Sequence, residues 1–135
     1  MSLLQWTQEL NTGIAWIDEQ HQQIVHYIND LHDAKQARET GKIGEVMENL
    51  IQYTVTHFAE EEKMMERAGY PLTEVHKGVH KRFVEKVGQM NARHKIGIDT
   101  SEELLNLLEG WLFSHIRVND NGYVSSVKGA GADKR

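Results

Sequence analysis

Hydrophobic residues recur at three- and four-residue steps over four stretches of this chain, the spacing of helices that bury one face. The four inward stripes read, in chain order, Ile17, His21, Ile24, Ile28 and Leu31; Leu50, Thr54, His57, Glu61 and Met64; His76, His80, Phe83, Val87 and Met90; and Leu104, Leu108, Trp111, Leu112 and His115. Short connections join these stretches. The pattern therefore predicts an all-α protein, an up-down-up-down antiparallel four-helix bundle.

Capping and turn residues predict where the first two helices begin and end. The first is expected over about residues 18–38, with Asp18 as its N-cap and Gly41 just beyond its end. The second is expected over about residues 43–68, with Gly69 as its C-cap.

The other boundaries define an arm, a domain and a tail. Thr73 is expected to cap the third helix, and Thr100 with Glu103 has the spacing of a capping box at the fourth. An irregular N-terminal arm precedes the bundle and is too apolar to be free, since it carries Trp6, Leu10, Ile14 and Trp16. We expect one domain over residues 1–123 and a loose C-terminal tail over residues 124–135.

Composition narrows the functional classes. The chain has no cysteine, which excludes disulfides, thiolate metal sites and cysteine nucleophiles. The net charge is −5 and the basic residues are scattered, so no nucleic-acid partner is expected. No signal peptide or membrane span is visible, and a cytoplasmic, monomeric protein without a membrane partner is expected.

Five of the eight histidines fall on the apolar stripes, where an unpaired polar group would cost a few kcal/mol. His57 with Glu61, and His76 with His80, are four residues apart and can each direct two ligands to one point. With one aspartate, the candidate metal ligands are His21, His57, Glu61, His76, His80, His115 and Asp120. Every helix then supplies an inward ligand.

Asp120 fits this set only under a condition. Five residues of α-helix place it roughly 140° around the axis from His115. Both side chains can reach one site if the fourth helix unwinds or ends there, and residues 119–122 are typical of a turn.

Each piece also has an ordinary structural interpretation. A lone His-x-x-x-His is usually helix decoration, and residues 60–62 alone would be a solvated acidic run. The remaining histidines, His26, His32 and His94, are expected to be structural. Only the joint occurrence of inward histidines on all four helices favours a metal site.

The types and number of the candidate ligands limit which metals the site could bind. Imidazole with carboxylate suits iron, zinc, copper or nickel, and seven ligands are too many for one four-coordinate zinc. Two six-coordinate irons sharing both carboxylates and an oxo or hydroxo bridge would keep one position open. Leu112, Trp111 and Phe58 would make the surrounding pocket apolar, which favours binding and release of dioxygen over its cleavage.

Several motifs together resemble the hemerythrin family, in particular its bacterial single-domain members. The resemblance rests on the arm with Gly13-Ile14 and residues 17–21, His57-Phe58-Ala-Glu-Glu61, residues 69–71, His76-x-x-x-His80, and Trp111-Leu112-x-x-His115-x-x-x-x-Asp120. It implies two non-haem irons with a bridging oxo or hydroxo group that bind dioxygen reversibly.

The resemblance also implies a role for each ligand. His76, His80 and His115 would hold one iron, and His21 with His57 the other, which keeps the open position. Glu61 and Asp120 would bridge the two irons.

The expected function is oxygen carriage, storage or delivery without enzymatic activity, with an oxygen-consuming protein as a conceivable partner. Three alternatives stay open: an oxygen or redox sensor domain, a di-iron enzyme with peroxidase, ferroxidase or nitric-oxide activity, and metal storage or zinc binding without redox work.

Overall fold

The computed structural model describes residues 3–134. The α-helices of this range are α1 (Ala15–Gln36), α2 (Thr40–Ala68), α3 (Thr73–Lys95), α4 (Ser101–His115) and α5 (Asn121–Gly129). A 3₁₀ turn, Gln8–Leu10, precedes α1, and a π-helical segment, Ile116–Asp120, joins α4 to α5. The first two residues of the predicted domain and Arg135 of the predicted tail lie outside the described residues.

Helices α1 to α4 form a closed bundle. Helix α1 packs against α2 and α4, and α3 packs against the same two neighbours, so each helix lies beside the next along the chain. No strand occurs within residues 3–134. The predicted all-α four-helix bundle is confirmed.

Two apolar clusters fill the bundle, with a polar layer between them. Along α1, Ile24 belongs to the larger cluster and Ile17 to the smaller one, and His21 lies between them in sequence. Along α2, Phe58 belongs to the larger cluster and Met64 to the smaller. The ligand-bearing turns therefore lie where one core ends and the other begins.

The N-terminal arm is packed, as expected. Leu10 and Ile14 are almost fully buried, and Trp16 is buried in the smaller cluster. Trp6 is half-buried, and its indole N–H donates to Oδ1 of Asn11 at 2.9 Å.

The start of α1 differs from the prediction. Helix α1 begins at Ala15, so Asp18 lies in its first turn and is not the N-cap. Its carboxylate reaches back to accept hydrogen bonds from the backbone N–H groups of Thr12 and Gly13 and from the Thr12 hydroxyl. An acid in the first turn also suits the positive end of the helix dipole.

The α1–α2 connection is shorter than predicted because Gly41 is not the stop signal. Arg38 takes the left-handed conformation, with φ 56°, and ends α1. Gly41 lies inside α2, which begins at Thr40. The end of α2 is confirmed: Gly69 is left-handed, and the N–H of Tyr70 donates to the Met65 carbonyl at 3.1 Å.

The threonines expected as caps serve other bonds. Thr73 is the first residue of α3, and its hydroxyl donates to the carbonyl of Tyr70. Thr100 precedes α4, but its hydroxyl donates to the Met90 carbonyl, so no capping box forms with Glu103. Asp99 accepts instead from the N–H and the hydroxyl of Ser101.

The looseness predicted for the tail from residue 124 is wrong for its first part. The chain continues as α5 to Gly129 and packs against α2. Tyr123 and Val127 are both fully buried in the smaller cluster, since they extend the apolar face of the bundle by one more turn. No helix of the described residues is long and apolar enough to cross a membrane.

Burial of α5 gives a prediction for stability. Val127→Ala removes two methyl groups from a fully buried side chain and should lower the free energy of unfolding by about 2 kcal/mol. Val75→Ala, the same change at a side chain that is 62% exposed, is the control and should change stability by less than about 0.5 kcal/mol. Urea denaturation of the metal-free protein measures both. Equal effects would mean that α5 does not pack in solution.

Candidate metal centre

Seven buried side chains converge in the polar layer between the two apolar clusters. Five of them form one group whose donor atoms all lie within 4.8 Å of one another: Glu61, His76, His80, His115 and Asp120. A second group contains His21 and His57 and shares both carboxylates with the first. The structure thus brings together all seven residues predicted as ligands, in one group with three histidines and a second group with two.

The two oxygens of Glu61 face different groups. Oε1 lies 3.1 Å from Nε2 of His80 and 3.3 Å from Nε2 of His76. Oε2 lies 3.3 Å from Nε2 of His57 and 3.8 Å from that of His21. This carboxylate therefore has the orientation of a bridge between two cations.

Asp120 is divided in the same way. Its Oδ1 lies 3.1 Å from Nε2 of both His76 and His115, on the three-histidine side. Its Oδ2 lies 3.0 Å from Nε2 of His21, on the other side. The centre thus has two shared acids and two sets of imidazoles.

The π-helical segment resolves the angular problem of Asp120. The α-helix ends at His115, as the condition on Asp120 required, and continues as a wider π turn in which the N–H of Asn121 donates to the Ile116 carbonyl five residues back. Residues five apart come to one face in such a turn, so Asp120 lies beside His115. The Asn121 side chain also donates to the Ile116 carbonyl, at 3.0 Å. Single π turns of this kind are frequent at functional sites.

Three ligand histidines have a defined tautomer. Nδ1 of His57 lies 2.6 Å from Oε1 of Gln20, and Nδ1 of His115 lies 3.0 Å from Oδ1 of Asn119. Nδ1 of His80 lies 2.8 Å from Oε2 of Glu62. These oxygens accept, so each Nδ1 carries the proton of its hydrogen bond and each Nε2 faces the centre.

Sequence reasoning missed Gln20, Glu62 and Asn119. Their positions carry a weak signal, since each lies beside a ligand or four residues from one. Glu62 had been included in a solvated acidic run, yet only 23% of its side chain is exposed and it binds His80.

A fourth missed residue is Tyr123. Its hydroxyl donates to Oε2 of Glu61 at 2.8 Å. Burial and the nearby carboxylates of Glu61 and Asp120 raise the pKa of Tyr123 well above its usual value, so it keeps its proton. The neighbouring Gly122 leaves space for Tyr70, because a Cβ at position 122 would lie 2.9 Å from the Tyr70 hydroxyl oxygen.

The acids and histidines of the centre shift each other's ionisation. Burial would lower the pKa of His21, but the carboxylates of Asp120 and Glu61 outweigh it and raise that pKa to about 9. The same balance raises the pKa of His76 to about 9. Burial opposes ionisation of Glu61 and Asp120, yet the surrounding histidines hold both of their pKa values below the usual range.

Several inward atoms of the described residues make no hydrogen bond and are free to bind a metal. Within residues 3–134, Oε1 of Glu61, both carboxylate oxygens of Asp120, and Nε2 of His21 and His76 are buried without a hydrogen-bond partner. The Nε2 atoms of His80 and His115 lie 3.3 Å apart. With the protons of both rings on Nδ1, two Nε2 lone pairs face each other, and a shared cation would bind both. The donor set therefore fits metal ions that accept imidazole and carboxylate.

A small cavity of about 10 Å³ lies against the two-histidine group. This volume is close to the least that holds one water molecule. The residues that line it are His21, Ile24, Thr54, His57, Phe58, Phe83, Leu108, Trp111, Leu112, His115 and Asp120. The three residues predicted for the oxygen pocket, Leu112, Trp111 and Phe58, are all present in this wall.

Aromatic rings stack on two of the candidate ligand histidines. Phe58 stacks on His80 with centroids 3.8 Å apart and planes 6° apart. Trp111 stacks on His115 at 4.3 Å and on Phe83 at 4.0 Å. The apolar wall of the cavity therefore also fixes the planes of two ligand imidazoles.

The other histidines lie away from the centre. His26 is 66% exposed and lies 3.5 Å from Asp30, one turn along α1. His32 is half-buried near the far end of α1, and His94 lies near the end of α3, 3.8 Å from Asp99. None of the three belongs to either metal-ligand group.

A four-helix bundle enclosing five histidines and two carboxylates defines a class, the metal-binding helical bundles. A family model described as the hemerythrin HHE cation binding domain matches residues 12–126. The bacteriohemerythrin of Pseudomonas aeruginosa is 48% identical over 128 residues, which cover 95% of this chain and 84% of that protein. The chain belongs to the hemerythrin family, as the resemblance of its motifs indicated.

More distant relatives agree with this assignment. The myohemerythrin of Theromyzon tessulatum is 30% identical over 119 residues, covering 88% of this chain and 89% of that protein. A crystal structure of wild-type hemerythrin matches the fold with a TM-score of 0.89 at 29% identity, covering 93% of this chain and 98% of that one.

The ionisation of the centre predicts how metal affinity depends on pH. In the metal-free protein His21 and His76 have pKa values of about 9, so near neutral pH each must lose a proton before it binds a metal. The affinity for Co²⁺ should rise with pH through this range and level off above about pH 9. The stability that the two imidazolium groups contribute to the metal-free protein is fully present below about pH 6.5 and lost as pH rises through about 9.

Calorimetric titration with Co²⁺ in buffers of different ionisation enthalpy measures the protons released. His26→Ala changes an exposed histidine and should leave the proton release unchanged. An affinity independent of pH would show that both histidines are already neutral in the metal-free protein.

Proposed function

We propose that this protein binds dioxygen reversibly at a pair of non-haem iron ions. The observation that carries the proposal is the division of both carboxylates, each with one oxygen toward three histidines and the other toward two. A single metal ion would leave one oxygen of each carboxylate unbound. Two cations bridged by both carboxylates would bind every inward donor atom. The matched relatives named bacteriohemerythrin and myohemerythrin support the same assignment.

The proposed ligands follow from the two groups. His76, His80 and His115 would hold one iron, His21 and His57 would hold the other, and Glu61 with Asp120 would bridge them. An oxo or hydroxo group would complete the bridge, and the open position would fall on the two-histidine iron. The cavity supports this last point, because its lining includes both histidines of the two-histidine side but only His115 of the three on the other side.

Bound ferrous iron would supply the electrons for dioxygen binding, and the chain provides an apolar pocket that would let dioxygen leave intact. Leu112 and Ile24 form part of the apolar wall of the cavity, and this wall keeps bulk water out. Thr54 provides a hydroxyl in the lining, but its proton is donated to the Leu50 carbonyl at 2.8 Å. Tyr123 is directed to Glu61 and does not line the cavity.

These features support binding over enzymatic turnover. Peroxidase-type chemistry requires proton delivery to the oxygen, and the lining described above offers no uncommitted hydroxyl or carboxylic acid for it. We infer that carriage, storage or delivery of dioxygen is the role.

We further propose that the protein acts in the cytoplasm as a monomer. The absence of cysteine suits a reducing compartment. The large exposed hydrophobic side chains are distributed over α2, α3, two connections and the π-helical segment: Val55, Leu72, Val75, Ile96, Ile98 and Val118.

Removing a ligand tests the centre. Glu61→Ala or His57→Ala should reduce the bound iron from about two per chain to well below one after anaerobic loading and desalting, because ligand loss leaves buried charge unmatched. His26→Ala should bind iron as the wild type does. Iron analysis and visible spectra through cycles of air and argon measure both. A Glu61→Ala protein with two irons and a reversible oxygen-dependent band would overturn the ligand assignment.

Replacing a wall residue tests the pocket. Leu112→Tyr should accelerate oxidation of the oxygenated protein severalfold, since its hydroxyl brings a proton donor and water into an apolar cavity. Leu72→Tyr, the same change at a 53% exposed position, is the matched control. The decay of the oxygenated band in air gives the rate. Equal rates in wild type and Leu112→Tyr would remove Leu112 from the pocket.

A further inference from the structure

Three ligand histidines donate their Nδ1–H groups to acceptors of unequal charge. His57 and His115 donate to the neutral amide oxygens of Gln20 and Asn119. His80 donates to a carboxylate, that of Glu62, at 2.8 Å. Among the described residues, the two sides of the centre therefore differ in the charge of the groups that accept from Nδ1 as well as in the number of histidines.

On the two-histidine side, Nδ1 of His57 is linked to a carboxylate only through the amide of Gln20. Nε2 of Gln20 donates to Oε2 of Glu60 at 2.6 Å, so an amide stands between that carboxylate and His57. Because an amide passes on only part of the polarisation, His57 is a weaker donor to metal than an imidazole that binds a carboxylate directly.

The geometry at His80 is well determined. Phe58 stacks flat on the imidazole, which fixes the ring plane and directs Nδ1 toward Glu62. Glu62 lies on a groove of about 510 Å³ that Phe58 and Val84 line, and 23% of its side chain is exposed. The Glu62 side chain is thus partly in contact with water, whereas the His80 side chain that it binds is only 2% exposed.

A carboxylate on Nδ1 makes an imidazole more basic and a stronger donor to the metal that Nε2 binds. Stronger donation stabilises the higher oxidation state. We propose that Glu62 is a positioning residue that acts through His80 to make the three-histidine iron the more easily oxidised of the two, an inference that rests on the proposed di-iron function.

Paired substitutions test the charge itself. Glu62→Gln keeps an acceptor for His80 but removes the charge, and Asn119→Asp adds a charge on His115 with almost no change in shape. Glu62→Gln should raise the reduction potential of the iron-loaded centre, and Asn119→Asp should lower it. The double variant has one charged acceptor on the three-histidine side, like the wild type, and should return toward the wild-type potential.

A second readout needs neither iron nor dioxygen. Co²⁺ affinity, followed by visible absorption, should fall about tenfold in Glu62→Gln, and Asn119→Asp should bind Co²⁺ more tightly than the wild type. Glu66→Gln is the matched control. It removes the same charge one turn further along α2, where the carboxylate contacts Lys77 and no ligand, and should leave both readouts unchanged.

The outcomes separate the inference from the proposed function. Shifts of the same direction in Glu62→Gln and Asn119→Asp, or equal effects of Glu62→Gln and Glu66→Gln, would overturn the role of Glu62. Iron-loaded wild type that binds dioxygen while Glu62→Gln keeps its potential would defeat the inference alone. Wild type that takes up Co²⁺ but no iron would defeat the proposed function, and the ranking of Co²⁺ affinities would still decide the role of Glu62.

Discussion

Two carboxylates with almost no contact with water, Glu61 and Asp120, impose the main constraint on this structure. A buried anion costs several kcal/mol unless positive charge and hydrogen bonds surround it. Five histidines and the Tyr123 hydroxyl meet that requirement, and they come from α1, α2, α3, α4 and α5. In the metal-free protein the imidazolium groups of His21 and His76 supply the positive charge. Bound metal ions would supply this positive charge instead, so metal binding and bundle stability depend on the same contacts.

The sequence predicted the bundle and the membership of the centre because both follow from helical periodicity. Apolar stripes fix which face is inward, and a histidine on that face must point to the same interior as its neighbours. The end of α2 was also predictable, since Gly69 takes a left-handed conformation that favours glycine. Arg38 takes that conformation too, and no sequence rule predicts a left-handed arginine in preference to the nearby Gly41.

Other details depended on competition between bonds that periodicity does not describe. Thr73 and Thr100 were expected to be caps, but their hydroxyl groups donate to the backbone carbonyls of Tyr70 and Met90 instead. The position of Asp120 required a π turn, which the side chain of Asn121 helps to close. Gln20 and Glu62 were missed because their role depends on another helix: Gln20 of α1 binds His57 of α2, and Glu62 of α2 binds His80 of α3.

The same helical turns provide the ligands and the wall of the cavity. Phe58 follows His57 directly and stacks on His80 across the bundle, and Trp111 precedes His115 by one turn and stacks on it. A change that opens the cavity at either ring therefore also frees a ligand imidazole to rotate. Leu112 differs from these two, because it lines the cavity without a ring contact to a ligand. A substitution at Leu112 can consequently change the exclusion of water without changing the strength of metal binding. At Phe58 and Trp111, a substitution changes both.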